Sequence, residues 1–197
     1  MKNIKDFKMY KGCLIIVDMV NGFIKEGLMH DESIERIVPR ILELIKEAKE
    51  EGKLIVFVKD SHTKDSIEFL RYGGKEHCLK NTTEALLIRV LEELEKAEDT
   101  ISIEKNSTNF MESHQMRELM ENQTEMEEFD IVGCLTDICV MNGAIGLTTY
   151  LDERNRKNQV WIHEDAVSTY AEENRKEYVQ ATKLLLEAQG IQFVKRK

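Results

Sequence analysis

Short apolar runs rich in β-branched residues alternate along this chain with longer charged segments in which apolar residues recur at helical spacing. Parallel strands need a crossover between them, and a helix that returns across the sheet provides it. The sequence therefore predicts an α/β fold of three layers, a mostly parallel central sheet of about six strands with helices on both faces. The predicted strands run from Cys13 to Val17, Leu54 to Lys59, Thr100 to Ile103, Asp130 to Gly133, Gln159 to His163 and Gln192 to Val194.

The segments between these strands carry the helical pattern. The predicted helices lie at about Ser33 to Glu51, Thr83 to Lys96, Glu112 to Glu121, Asp137 to Leu151 and Glu172 to Gln189. Gly52 and Gly190 follow the first and the last of them and are natural helix stops. No linker rich in proline, glycine or serine and no internal repeat divides the chain, so we expect a single domain over residues 1–197.

The charge balance narrows the range of partners. Lysine and arginine number 28 against 37 aspartates and glutamates, and nucleic acids or anionic membranes require clustered cationic surface instead. The first residues are not followed by an apolar stretch of signal-peptide length, and no stretch reaches transmembrane length. We therefore expect a cytoplasmic protein that acts on a small molecule, with no nucleic-acid or membrane partner, and with its four cysteines as free thiols.

Four successive strands deliver a reactive side chain to the same edge of the predicted sheet. Asp18 follows the first strand, Asp60-Ser61-His62 follows the second, Lys105 follows the third, and Cys139 lies in the turn after the fourth. The carboxyl ends of parallel strands converge on the crevice where winding changes direction. A carboxylate, an ammonium and a thiol that meet there form a working catalytic set.

The chemistry of this set centres on Cys139, at a strand-to-helix turn. Unpaired N–H groups and the positive end of the helix dipole favour a thiolate there and can receive an oxyanion. Asp18 can take the thiol proton, protonate the departing nitrogen and later activate water against a thioester, while Lys105 keeps Asp18 ionised and stabilises the thiolate. Taken singly, Cys139 could instead be a buried, unreactive cysteine. Asp18 and Lys105 could likewise be a structural ion pair or exposed loop charges.

Three segments at these strand ends resemble, in order, the signatures of the isochorismatase-like cysteine hydrolases: Asp18-Met19-Val20-Asn21-Gly22-Phe23, Lys105-Asn106-Ser107-Thr108-Asn109-Phe110 and Gly133 to Val140. The resemblance implies that Asp18, Lys105 and Cys139 form an Asp-Lys-Cys triad. It also implies a cis peptide bond between Cys134 and Leu135, which would direct the amides of Leu135 and Cys139 into an oxyanion hole.

A metal site is indicated by Asp60-Ser61-His62, because on an extended loop a carboxylate and an imidazole two positions apart can point to one side. Alone, such a pair is also typical of a solvated loop. The segment from residue 60 to 84 is similar to the metal-binding insert of nicotinamidases, which implies one divalent metal ion held by Asp60, His62, Glu68 and His77. Zn, Mn and Fe(II) all suit two nitrogens and two oxygens.

This insert departs from the nicotinamidase pattern at Gly73-Gly74-Lys75-Glu76, which is two residues longer than the pair of prolines common before the second histidine. The carboxylate ligand therefore stays open among Glu68, Glu76 and Asp65. We favour Glu68 because Phe69 follows it, as in relatives.

Phe23 and Tyr72 match positions at which nicotinamidases line the ring pocket with aromatic side chains. Flat rings favour aromatic walls, so the resemblance implies that both residues bind substrate. The alternatives are an ordinary core position for Phe23 and a surface loop for Tyr72.

The triad and the insert together predict a metal-dependent amidohydrolase of nicotinamidase type, which converts nicotinamide to nicotinate and ammonia through a Cys139 thioester and thereby serves NAD salvage. One alternative is a related cysteine hydrolase of another small amide or carbamoyl compound, favoured by the missing proline pair. A second is a non-catalytic scaffold of the same fold, against which the complete triad argues. Relatives are often oligomeric, so the resemblance also allows a homo-oligomer.

Overall fold

The central sheet contains six strands, all parallel, in the order β3-β2-β1-β4-β5-β6. The computed structural model describes residues 7–195. This sheet confirms the predicted fold class. Of its strands, β5 extends furthest beyond the end that the sequence predicts for it. The strands are β1 (Gly12–Val17), β2 (Leu54–Asp60), β3 (Thr100–Lys105), β4 (Glu128–Cys134), β5 (Gln159–Ser168) and β6 (Gln192–Val194).

Helices cover both faces of this sheet. In chain order they are α1 (Asn21–Ile24), α2 (Val38–Glu50), α3 (Glu68–Arg71), α4 (Arg89–Glu92), α5 (His114–Asn122), α6 (Met141–Glu153) and α7 (Arg175–Glu187). Short 3-10 turns span Glu32–Ile37, Thr83–Ala85, Leu94–Lys96 and Phe110–Glu112, and a π-helical turn spans Thr136–Val140. None of the helices between residues 7 and 195 is both long and apolar enough to cross a membrane.

The predicted helix from Ser33 to Glu51 is divided into the 3-10 turn Glu32–Ile37 and α2. Pro39 lies in the first turn of α2, where a missing N–H is tolerated, whereas inside a longer helix its ring would clash with the preceding turn. Gly52 and Gly190 follow α2 and α7 with φ of 69° and 81°, the left-handed conformation of a glycine helix stop.

The predicted helix from Thr83 to Lys96 is wrong, because this segment contains three separate short turns. Leu86 and Ile88 have extended backbone and hydrogen-bond to the chain that follows β1. The amide of Ile88 donates to the carbonyl of Met19 at 3.1 Å, and the carbonyl of Leu86 accepts from the amide of Asn21 at 2.9 Å. Long-range hydrogen bonds therefore outweigh the helical pattern of the segment.

Alternate side chains of β1 pack into two separate cores, one on each face of the sheet. Ile15 and Val17 belong to the core that α5, α6 and α7 cover, whereas Leu14 and Ile16 belong to the core that α2 covers. All six residues of β1 are buried, as expected for a central parallel strand that helices cover on both sides. The helices thus form the two outer layers of the predicted three.

The strand order creates a switch point between β1 and β4. The chain runs outward from β1 to β2 and β3, and then returns to the other side of β1 to form β4, β5 and β6. The connections that leave β1 and β4 therefore separate at their carboxyl ends and open a crevice there. This crevice is the position at which the fold places a ligand.

Gly133 in β4 allows the close approach of the two central strands. Its φ is 109°, and a β-carbon on it would lie 2.1 Å from the carbonyl oxygen of Val17. We expect Gly133→Ala to lower the free energy of unfolding by more than about 3 kcal/mol, because both backbones would have to move. The control is Gly52→Ala, where φ is also positive but no atom lies within 4 Å, and it should cost about 1 kcal/mol. Equal losses of the two variants in urea unfolding would contradict this packing.

Candidate active site

Four side chains meet at the carboxyl edge of the sheet. Asp18 follows β1, Asp60 and Lys105 end β2 and β3, and Cys139 lies in the π-helical turn after β4. The Lys105 ammonium lies 2.8 Å from Oδ2 of Asp18 and 3.6 Å from Sγ of Cys139, and it also forms a close ion pair with Asp60. All four side chains are buried. The structure therefore brings together the three residues expected to form a triad.

The backbone on both sides of Asp18 fixes its carboxylate in this cluster. Its φ of 52° lies in the left-handed region, which costs about 1–2 kcal/mol for a residue with a side chain. The amide of Asp18 donates to the carbonyl of Val58 at 2.8 Å, and Oδ1 of Asp18 accepts from the amide of Asp60 at 2.9 Å. The thiol of Cys134 donates to the carbonyl of Asp18 at 3.1 Å. Both neighbouring strands, β2 and β4, thus hold the residue in place.

Burial and the charge of Lys105 give the carboxyl groups of Asp18 and Asp60 different pKa values. Burial, together with the negative charge of Asp60, raises the pKa of Asp18 to about 7 against the opposing effect of Lys105. Burial would raise the pKa of Asp60 as well, but Lys105 and His62 outweigh it and lower that pKa to about 2. Asp60 is therefore the permanent counter-ion of Lys105, and Asp18 is the group able to exchange a proton near neutral pH.

The sulfur of Cys139 is a protonated thiol in the free protein. Its burial raises its pKa well above the ordinary range, and the attraction of Lys105 does not offset this effect. The sequence-based expectation of a favoured thiolate considered the helix terminus and Lys105 but not desolvation. A thiolate must therefore form by proton transfer to a neighbouring base, and one carboxylate oxygen of Asp18 lies within 4.8 Å of the sulfur.

The turn that carries Cys139 follows the Cys134-Leu135 peptide bond, which is cis. The amides of Ile138 and Val140 both donate to the carbonyl of Leu135, each at 3.1 Å. Leu135 and Cys139 line the same narrow cavity above the sulfur. The two residues whose amides were expected to form an oxyanion hole thus border one space.

A second group of side chains, the His-carboxylate cluster, consists of Asp60, His62, Glu68 and His77. All four are buried, and one possible ligand atom from each lies within 4.8 Å of the others. Nε2 of His62 lies 3.5 Å from Oδ2 of Asp60 and 3.9 Å from Oε1 of Glu68, and Nε2 of His77 lies 4.0 Å from Oδ2 of Asp60. Among the three carboxylates left open by the sequence, Glu68 lies in this cluster, whereas Asp65 and Glu76 are exposed.

Hydrogen bonds orient the two imidazoles of the cluster. Nδ1 of His62 lies 2.8 Å from Oδ1 of Asn106, and Nδ1 of His77 lies 2.9 Å from the carbonyl oxygen of Lys75. Because both partners are acceptors, each Nδ1 carries a hydrogen, so each imidazole in its neutral form turns the lone pair of Nε2 toward the cluster. Nε2 of His62 and Oδ2 of Asp60 are buried with no hydrogen-bond partner between residues 7 and 195. This set of two nitrogens and two carboxylates fits a divalent transition metal.

The cavity above Cys139 also reaches the His-carboxylate cluster. Phe23 and Tyr72 line it, and their rings lie 5.7 Å and 6.1 Å from the ring of His77. Phe23 is buried, while Tyr72 is partly exposed at the rim. A flat ring could therefore lie between aromatic side chains with one edge toward His77 and another toward Cys139.

Sequence reasoning missed four residues that line this cavity: Met29, Thr108, Ile138 and Tyr170. Thr108 and Ile138 lie inside the quoted signatures, so their positions near the site were available. Tyr170 follows β5 and thus the same edge of the sheet. It was missed because the strand was expected to end at His163, well before that edge.

Comparisons with known proteins agree with this geometry. A model of the isochorismatase domain matches residues 12–189, so the chain belongs to the isochorismatase family. No curated protein sequence matches the chain significantly. Membership of this family confirms the resemblance drawn from the sequence and the prediction that the protein is an enzyme, a hydrolase.

Solved structures of three amidases are similar to this chain. Pyrazinamidase of Pyrococcus horikoshii in complex with zinc is 25% identical, with a TM-score of 0.74, over 95% of this chain and 100% of that one. Nicotinamidase from Bacillus subtilis is 25% identical, with a TM-score of 0.74, over 94% of this chain and 100% of that one. N-carbamoylsarcosine amidase from Thermoplasma acidophilum is 22% identical, with a TM-score of 0.74, over 94% of this chain and 96% of that one. At this identity the similarity shows only a common fold.

Removal of the Lys105 charge should destabilise the metal-free protein. Lys105→Met leaves Asp18 and Asp60 as close buried carboxylates, and we expect the free energy of unfolding to fall by about 3–5 kcal/mol. Adding Asp18→Asn should restore part of the loss, because one of the two repelling charges is gone. Lys80→Met is the control, since Lys80 forms an exposed pair with Glu104 and should matter little. A double variant no more stable than Lys105→Met would contradict the assigned repulsion.

Proposed function

We propose that this protein is a metal-dependent amidohydrolase of nicotinamidase type, which converts nicotinamide to nicotinate and ammonia. The observation that carries the proposal is the shared cavity, which Cys139 borders together with Asp60, Glu68 and His77 of the His-carboxylate cluster. Further support comes from the similar pyrazinamidase in complex with zinc and the similar nicotinamidase, each 25% identical to this chain. We further propose one domain over residues 1–197, in which residues 60–84 form the metal-binding insert.

The proposed reaction starts with proton transfer from the thiol of Cys139 to the carboxylate of Asp18. The sulfur attacks the carboxamide carbon, and the amides of Leu135 and Cys139 receive the negative charge that develops on oxygen. The tetrahedral intermediate expels nitrogen, to which Asp18 returns the proton, so that ammonia leaves and a thioester remains. Asp18 is again a carboxylate at the end of this half-reaction.

The second half-reaction hydrolyses the thioester. Asp18 takes a proton from water, and the resulting hydroxide attacks the acyl carbon. The carbon–sulfur bond breaks, the sulfur regains a proton from Asp18, and the carboxylic acid leaves. Lys105 stays protonated throughout, because both carboxylates keep its pKa above the ordinary value in spite of burial. Its role is to hold Asp18 beside the sulfur and to stabilise the thiolate while it exists.

The His-carboxylate cluster would hold the metal through Asp60, His62, Glu68 and His77. When bound, a divalent cation supplies a Lewis acid that accepts the lone pair of a ring nitrogen and so orients the carboxamide toward Cys139. Asn106 and the carbonyl of Lys75 keep the two imidazoles in the required tautomer. Phe23 and Tyr72 provide aromatic walls for the ring.

The triad roles predict distinct losses of activity. Ammonia release from nicotinamide should vanish in Cys139→Ala, which has no nucleophile, and should fall at least about a hundredfold in Asp18→Asn, which has no base. Cys13→Ala is the matched control, because Cys13 is a buried cysteine of β1 that is not among the residues lining the cavity. Robust turnover by Cys139→Ala would eliminate the mechanism.

A panel of amides and ureides in the same assay decides the substrate. Turnover of nicotinamide above the other compounds supports the proposal. A protein that hydrolyses carbamoyl compounds and leaves nicotinamide intact would instead be a related cysteine hydrolase with a different pocket. A protein that hydrolyses none of them, and whose Cys139 reacts no faster than an ordinary thiol, would be the non-catalytic scaffold.

The carboxylate ligand can be identified by metal content. Glu68→Gln should weaken divalent metal binding at least about tenfold, because a buried anionic ligand becomes neutral. Glu76→Gln is the matched control, since Glu76 adjoins His77 in the chain but is exposed. Metal analysis of both variants, purified without added metal and then titrated with Zn²⁺, measures the difference. Equal weakening by the two substitutions would show that Glu68 is not a ligand.

A further inference from the structure

Tyr170 lines the cavity over Cys139 and carries an unpaired polar atom. Its hydroxyl is buried and has no hydrogen-bond partner among the residues that the structure describes. A buried polar group without a partner costs about 1–3 kcal/mol, so a native structure that keeps one needs a reason. A hydroxyl group that faces a substrate cavity has such a reason when the bound substrate provides the partner.

Tyr170 lines the cavity together with Leu135, Ile138 and Cys139 of the turn after β4. Burial raises its pKa, and the strongest further influences on it are the neighbouring thiols, including Cys139. Burial, Cys139 and Glu68 likewise raise the pKa of Tyr72 to about 12. Both hydroxyls are therefore protonated hydrogen-bond donors at neutral pH, and of the two it is that of Tyr170 that is buried without a partner among the described residues.

Asp137 connects the segment around Tyr170 to the turn that carries Cys139. It lies two residues before Cys139, and its carboxylate accepts hydrogen bonds from Thr169 and Arg175, each at 2.6 Å. The guanidinium of Arg175 also lies 5.4 Å from the centre of the Tyr170 ring, within the range of a cation–π interaction. The segment that carries Tyr170 is thus tied to the same turn that carries the nucleophile.

We propose that the Tyr170 hydroxyl donates a hydrogen bond to the carboxamide oxygen of the bound substrate and thereby helps to stabilise the negative charge that develops there. The inference rests on the proposed amidohydrolase function. It adds a side-chain donor to the backbone amides of Leu135 and Cys139, on the side of the cavity that faces the segment after β5. Because the donor meets the group that all amide substrates share, its contribution should not depend on the ring.

The test is Tyr170→Phe, which removes the hydroxyl and keeps the ring. We expect kcat/KM for nicotinamide to fall about tenfold or more, and by a similar factor for every other primary amide that the enzyme hydrolyses. The thermal unfolding midpoint of the substrate-free protein should stay equal or rise, because an unpaired buried hydroxyl is lost. Tyr178→Phe is the matched control: its ring also lies 5.4 Å from Arg175 but is exposed, and both quantities should stay at wild-type values.

Two results would overturn the inference. One is wild-type kcat/KM in Tyr170→Phe on all amides, which would show that the hydroxyl does not contact the carboxamide. The other is a fall in kcat/KM together with a fall in the unfolding midpoint, which would show a structural role. If wild-type protein hydrolyses another amide but not nicotinamide, the proposed substrate fails while the Tyr170→Phe comparison proceeds on that amide.

Alkylation of the nucleophile tests the same contact without turnover. Iodoacetamide carries a carboxamide that Tyr170 can bind, whereas methyl methanethiosulfonate carries none. Tyr170→Phe should slow modification of Cys139 by the first reagent and leave the second unchanged, with the modified peptide identified by mass spectrometry. Equal effects on both reagents would overturn the inference even in a protein that hydrolyses no amide.

Discussion

The buried ammonium of Lys105 is the interaction on which the rest of the site depends. Lys105 ends β3, and its side chain reaches across the end of β2 to Asp18 beside β1. A buried cation requires anionic partners because its removal from water is costly, and Asp18 and Asp60 provide them. Asp60 also belongs to the His-carboxylate cluster, so one carboxylate connects Asp18, Lys105 and Cys139 to the proposed metal ligands. A change in either half of the site therefore alters the electrostatics of the other.

In the proposed mechanism, this arrangement explains how a buried thiol can serve as a nucleophile. With Cys139 protonated, the triad and Asp60 hold two negative charges and one positive charge. Proton transfer from the sulfur to Asp18 shifts one negative charge from a carboxylate 2.8 Å from Lys105 to a sulfur 3.6 Å from it, and leaves the total charge unchanged. No ion has to enter or leave the low-dielectric cavity, so desolvation opposes the step far less than it opposes ionisation of an isolated cysteine. The protonated resting state also limits oxidation of the sulfur, which proceeds through the thiolate.

The sequence predicts most of this fold because its signals are local. Apolar runs fixed the six strands, and the residues just after four of them were expected at one edge, where the structure has them. The helix expected from Thr83 to Lys96 fails because hydrogen bonds from Leu86 and Ile88 to the chain after β1 are long-range, and no local pattern encodes them. The choice among Glu68, Glu76 and Asp65 and the raised pKa of Cys139 likewise depend on burial, which the linear order does not specify.

The strand ends and the loops contribute different parts of the site, and this difference bears on substrate specificity. In the proposed mechanism, the ends of β1, β2, β3 and β4 hold the reacting groups on rigid elements, whereas residues 60–84 and the segment after β5 supply walls of the cavity. Loops accept sequence change more readily than sheet edges do, so the walls can differ between relatives that keep one mechanism. Asp137 limits this freedom, because its bonds to Thr169 and Arg175 couple one wall to the turn of the nucleophile. A substitution in that wall can therefore alter substrate specificity only if it leaves the turn that carries Cys139 in place.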